Sequence, residues 1–161
     1  MKLLQTKINN TRFEHDLLIE TFASDFLPPQ ELITTGYAFI FKDKKLLLVS
    51  HDERWEIPGG HVENNESIIE TTARETHEES GFVVSDLVCF AYQKITIQEK
   101  PENGQYPYPV SYQTYFLAKD YHFDPHTKAE FEHYFFNSKE GQEADFIKNH
   151  NELYQYALEL L

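Results

Sequence analysis

Apolar and polar positions divide the chain into several extended runs and a few helical ones. Residues 32–41 are rich in β-branched and aromatic side chains, Lys42-Asp43-Lys44-Lys45 is polar, and Leu46-Leu47-Leu48-Val49 is unbroken apolar. That order predicts a hairpin with a buried second strand. Residues 50–54 read as a polar loop, Trp55 as the start of a strand, and Pro58-Gly59-Gly60 as a turn. A helix is predicted from near Glu66, with Asn64, Asn65 or Ser67 as N-cap and Gly81 as C-cap. Ile69, Ala73 and Thr76 share one face of it, with Ile68 beside them, and that face is expected to meet the core. Glu70 and Arg74 are spaced for an i, i+4 pair. Residues 82–84, 87–92, 95–97 and 110–118 read as strands and 130–136 as a further one, with loops at 98–109 and 119–128. Asn149 is expected to cap a last helix on which Leu153, Tyr156, Ala157, Leu160 and Leu161 form an apolar face.

Residues 1–30 read as an N-terminal extension ahead of a domain at 31–161. Thr11-Arg12-Phe13-Glu14 has the form of a capping box. A helix is therefore expected there, carrying Phe13, Leu17, Leu18, Phe22 and Phe26, and Pro28-Pro29 ends it. Such an arm can pack on the core, cover a substrate site or form a dimer contact, so a homodimer is one expectation. Taken alone, the elements define an α+β or α/β protein.

Composition narrows the function. A chain of 161 residues with 40% hydrophobic content is long enough for a real core. Its 27 acidic against 14 basic residues give a net charge of −13, which repels polyanions, so a nucleic-acid polymer is not an expected partner. A small phosphate-bearing ligand remains compatible where divalent cations cancel the local charge. The lone Cys89 has no internal disulfide partner, and no apolar run reaches membrane-spanning length. A cytoplasmic, membrane-free protein is the expectation.

The candidate chemistry lies in residues 60–82. On a helix at about 100° per residue, Glu75, Glu78 and Glu79 fall within an arc of about 100° on one turn. Like charges so spaced disfavour a helix. A hard divalent cation, which takes carboxylate and phosphate oxygens, gives that arrangement a purpose. A solvated acidic face is the plainer alternative.

The whole stretch resembles the Nudix box: Gly60, Glu66, Arg74, Glu75, Glu78, Glu79, Gly81 and Phe82 stand at its fixed positions, and Trp55-Glu56-Ile57-Pro58-Gly59-Gly60 resembles the family's approach to it. Thr76 departs, standing where the family has a large aliphatic residue. The resemblance implies an α/β/α sandwich around a mixed β-sheet and hydrolysis of a phosphoanhydride in a nucleoside diphosphate linked to a further group. It implies Mg²⁺ or Mn²⁺ held by Glu75, Glu78 and Glu79, with the Gly60 carbonyl and an acidic residue of the late strand, Glu130 or else Glu132. Glu75 is the candidate general base, with Glu78 and Glu79 as firmer ligands, and the roles of Glu75 and Glu78 can exchange. Glu66 and Arg74 brace the loop against the helix. Substrate selection is expected outside the box, through Trp55, Tyr106 and Tyr108, with His51 nearby, while His77 is expected to face solvent. The favoured substrate is a small nucleoside triphosphate, oxidised ones included; the alternatives are ADP-ribose, a nucleotide sugar, or a sensor that binds without hydrolysis.

Overall fold

A computed structural model describes residues 1–9, 17–63, 65–98, 100, 106–137, 139–140 and 144–161. Its strands are β1 (Lys2–Asn9), β2 (Leu17–Ala23), β3 (Ile33–Phe39), β4 (Phe41–Lys42), β5 (Lys45–His51), β6 (Arg54–Glu56), β7 (Gly59–His61), β8 (Phe82–Ile97), β9 (Val110–Phe123) and β10 (His133–Phe136). Its helices are α1 (Ile68–Ser80), α2 (Asp145–Asn149) and α3 (Asn151–Glu159). One sheet has the order β1-β2-β8-β9-β3-β7, and it is mixed because β3 runs parallel to β9 while the other pairs are antiparallel. A second sheet has the order β10-β5-β4, with β6 also paired to β5.

Alternation along β8 and β9 makes the two-sided core. Cys89 and Phe116 pack with Ile33 and with Ile68 of α1. Their neighbours Phe90 and Tyr115 pack with Phe146, Leu153, Tyr154 and Ala157 of α2 and α3. Helices therefore cover both faces, which is the α/β/α sandwich. No helix among the described residues is long and apolar enough to cross a membrane.

Several local expectations change. Leu17–Ala23 is a strand rather than part of a helix, paired to both β1 and β8. Its β-branched and aromatic side chains suit a strand, and Leu17, Thr21 and Ala23 turn inward. The capping-box residues 11–14 lie outside the described residues. The run at 32–41 is divided between sheets: β3 ends at Phe39, and β4 forms a tight hairpin with β5 through Asp43 and Lys44, both at positive φ. Residues 50–54 are not a loop, because β5 and β6 pair across a two-residue turn at Asp52 and Glu53. The three strands read at 82–97 are one, since a ladder with β9 carries them through a bulge between Cys89 and Ala91. Asn149 ends α2, and α3 starts at Asn151 with no side-chain cap. Leu153, Tyr154 and Ala157 face the core, while Leu160 and Leu161 are exposed beyond the last turn.

Candidate active site

The glycine turn and α1 meet at the site. α1 begins with a reciprocal capping box: Glu70 N donates to Ser67 Oγ, and Ser67 N donates to Glu70 Oε2 at 2.8 Å. Glu70 is thus committed to the cap and does not pair with Arg74. The candidate cap Asn64 lies outside the described residues. At the other end Gly81 closes the helix at φ 74°, in the left-handed region.

The buried face of α1 is Ile68, Thr71, Thr72, Thr76 and Ser80, whereas Ile69 points outward. Three of the hydroxyls there are satisfied along the helix, Thr72 donating to Ile68 O, Thr76 to Thr72 O and Ser80 to Thr76 O at 2.6–2.7 Å, while Thr71 donates to Glu66 Oε2 at 2.9 Å. Small side chains on this face let α1 approach β3 closely. A Cβ at residue 36 would lie 2.1 Å from Thr72 Oγ1.

The outer face carries the charges. Arg74 donates through Nε to Glu66 Oε1 at 2.8 Å and through Nη2 to Glu66 Oε2 at 3.0 Å, a bidentate pair that ties the box loop to the helix. That pairing holds the Glu66 carboxyl down at about 2. Arg74 Nη1 also donates to Glu75 Oε1 at 2.9 Å and to Glu78 Oε2 at 3.0 Å. Glu75 lies against the glycine turn, where a Cβ at residue 60 would sit 2.4 Å from its carboxyl carbon. Residue 59 has φ 148°, and a Cβ there would meet Gly36 O at 2.2 Å, so glycine is required at that position.

Glu79 is a half-buried member of the cluster. Its Oε2 accepts from Gly59 N at 2.9 Å. Burial pushes its carboxyl up to about 7, and the charges of Glu75, Glu130 and Glu78 add to the rise. Glu130 comes from another segment, whose amides run along the end of α1: Glu130 N donates to Glu78 O at 2.9 Å and Phe131 N to Glu79 O at 3.1 Å. Glu130 lies ahead of β10 rather than on it. Glu132 is tied by its carbonyl to Ser50 N at 2.8 Å.

Among the described residues, no three His, Cys, Asp or Glu side chains are gathered closely enough to hold a metal ion as they stand. Glu75 and Glu78 are turned to Arg74, and Glu79 to the Gly59 amide. The donor chemistry nevertheless fits a hard divalent cation: every group is a carboxylate oxygen, and the Arg74 guanidinium already bridges two of them.

A cleft of about 790 Å³ adjoins the box loop, lined among others by Ile33, Thr34, His61, Glu63, Ile68 and Tyr106. His61 Nε2 and Tyr106 Oη lie 3.2 Å apart across it. His61 was not among the residues expected from sequence, because a histidine after a glycine turn carries no signal of its own. Tyr108 lies 45% exposed with its hydroxyl toward Gln98 O at 3.4 Å, and Trp55 packs edge-on against Phe136 with ring centroids 5.0 Å apart. Neither is among the residues lining this cleft. His51 stacks on Phe131. His77 is partly exposed, with its ring bonded to Thr127 and Asp124.

A carboxylate-bearing helix, strapped by an arginine to the box loop and by a glutamate to a glycine turn on a mixed sheet, is the arrangement of a Nudix domain. The family model described as NUDIX domain matches residues 33–157, and the chain belongs to that family. Among curated relatives, a Lactococcus lactis protein named "Probable DHNTP pyrophosphohydrolase" is 43% identical over 54 residues, 32% of this chain and 32% of that protein. A Bacillus subtilis protein provisionally named an ADP-ribose pyrophosphatase is 31% identical over 81 residues, 49% of this chain and 36% of that protein. The chain thus spans about a third of the length of the curated relatives it matches. Among solved structures, a Bacillus subtilis pyrophosphohydrolase superposes with a TM-score of 0.63 at 19% identity, covering 88% of this chain and 91% of that one. A Nudix hydrolase from Nitrosomonas europaea gives 0.58 at 24% identity, covering 77% and 86%. These two likenesses establish the fold.

Proposed function

We propose that the chain is a divalent-metal-dependent hydrolase of a phosphoanhydride bond in a small nucleoside diphosphate linked to a further group. Its favoured substrate is a nucleoside triphosphate, oxidised ones included, cleaved to the monophosphate and pyrophosphate. The observation that carries this reading is the convergence of Glu75, Glu78 and Glu79 on one turn with Glu130 from a distant segment. These four carboxylates would hold Mg²⁺ or Mn²⁺, with the Gly60 carbonyl as a further oxygen. The ion would supply neutralisation of phosphate charge and a lowered pKa for the attacking water.

The side chains divide the remaining work. Glu75 Oε1 is taken by Arg74, while Oε2 has no hydrogen-bond partner among the described residues and accepts the proton of the attacking water. Glu78 shares the Arg74 Nη1 donor. The cleft between His61 and Tyr106 receives the nucleoside, with Trp55 and Tyr108 at greater distance as secondary contacts. Relatives named for DHNTP and for ADP-ribose support a pyrophosphate bond as the target, and the second name favours ADP-ribose or a nucleotide sugar as the alternative substrate.

The test is incubation with Mg²⁺ and a panel of nucleoside triphosphates, DHNTP, ADP-ribose and nucleotide sugars, with product analysis. Monophosphate and pyrophosphate from a triphosphate support the favoured reading. A kcat/KM for ADP-ribose far above every triphosphate replaces the substrate and leaves the chemistry standing. Binding without turnover of any compound identifies a sensor instead.

A further inference from the structure

Glu130 reaches the site on a strap, residues 124–131, that no regular element supports. Its backbone is tied to α1 at three points: Asp124 N to Gly81 O at 2.9 Å, Glu130 N to Glu78 O at 2.9 Å and Phe131 N to Glu79 O at 3.1 Å. The carbonyls of Glu78 and Glu79 are among the last four of the helix, which have no partner within it, so the strap supplies what the helix end lacks.

A side-chain clamp sits between these ties. Thr127 Oγ1 donates to Asp124 Oδ2 at 2.7 Å, and Asp124 Oδ1 accepts from His126 N at 2.9 Å. His77 Nε2 lies 2.7 Å from Thr127 Oγ1 and 3.2 Å from Asp124 Oδ2. The one threonine proton is committed to Asp124, so the proton between His77 and Thr127 must sit on His77 Nε2. His77 belongs to α1, one residue before Glu78. The chain His77–Thr127–Asp124 therefore fastens the strap directly to the turn that bears the carboxylates.

We infer that His77, Thr127 and Asp124 form a positioning clamp that holds Glu130 beside Glu79 as an oxygen ligand for the divalent ion. None of the three touches the ion or the substrate; they act through the placement of Glu130. The inference rests on the reading of Glu130 as a ligand given above, and the experiment separates the two.

Hydrogen exchange and Mn²⁺ calorimetry are measured on wild type, Asp124→Ala, Thr127→Val, Thr127→Ser and Glu130→Gln, with melting temperatures as a check of folding. Loss of the clamp should speed exchange of the 130–131 amides by about tenfold or more in the metal-free protein. Asp124→Ala and Thr127→Val should weaken Mn²⁺ by about tenfold, as loss of a group that orients a ligand does. Thr127→Ser keeps the hydroxyl and should restore wild-type values in both. Glu130→Gln should weaken Mn²⁺ with exchange unchanged. Unchanged exchange in Asp124→Ala and Thr127→Val overturns the clamp. Weak Mn²⁺ binding in Glu130→Gln alone also overturns it and leaves the ligand reading in place. Wild-type Mn²⁺ affinity in Glu130→Gln overturns both.

Discussion

Arg74 is the side chain around which the charges of the site are arranged. It neutralises Glu66 in a bidentate pair, shares its remaining Nη1 between Glu75 and Glu78, and has Glu63 3.9 Å from Nη2, so four carboxylates meet one cation. Glu79 lies outside its reach and shows the consequence, a carboxyl raised to about 7. Thr76 illustrates a different local solution. It is fully buried, yet its hydroxyl is satisfied by Thr72 O at 2.6 Å. That carbonyl keeps its helical amide donor when the hydroxyl is removed, so Thr76→Val should alter stability by less than about 1 kcal/mol in chemical denaturation. Thr76→Leu lengthens a side chain that has no room and should cost about 1–3 kcal/mol. A loss of activity in Thr76→Val at an unchanged melting temperature would contradict a purely packing role. The motif was legible residue by residue, and Thr76 was rightly expected in the core. The partner of Glu70 was not, because spacing pairs it with Arg74 while the bidentate fit of Glu66 takes the guanidinium instead.

At the scale of elements, the contact between α1 and β3 controls where the carboxylates stand. Gly36 has no space for a Cβ, with Thr72 Oγ1 and the Ile68 side chain both in the way. Gly36→Ala should therefore push α1 off the sheet and destabilise the protein by about 1–3 kcal/mol, read as a lower denaturation midpoint with unchanged slope. Wild-type stability would show that the helix shifts freely. The same contact explains why Ile69 was misplaced on the buried face of α1, whereas Thr76 and Ala73 do meet the core. A hydrophobic count selects Ile69, whereas the helix buries threonines and a serine whose hydroxyls bond backwards along it. Strands 32–41 and 82–97 were legible as extended, but their division and fusion depended on partners. The pair β1–β2 was hidden for the same reason: its second strand also pairs with β8, a neighbour 72 positions away in register at Thr21 and Gln93.

At the scale of the whole molecule, α2 and α3 close the far side of the core beside a partly buried histidine. His150 stacks on Phe146 with ring centroids 4.6 Å apart, and burial holds its pKa down to about 4, with the charge of Lys7 adding to the effect. The unfolded chain takes a proton near the ordinary 6.5, while the folded one refuses it until about 4. The stability contribution is therefore whole above pH 6.5 and is lost as pH falls toward 4. Wild type should lose on the order of 3 kcal/mol over that window from this group alone. His150→Phe should lack that component, and an identical pH profile for the two proteins would contradict it. The central claim, that the carboxylate cluster works through a divalent ion, is tested most directly by titrating Mg²⁺ against the rate of product release for wild type and Glu79→Gln on the best substrate. The account predicts no turnover without metal, saturation with Mg²⁺ for wild type, and a rate lower by about a hundredfold or more at saturating Mg²⁺ for Glu79→Gln. Metal-independent turnover in wild type, or equal rates and equal Mg²⁺ dependence in the two proteins, would contradict it.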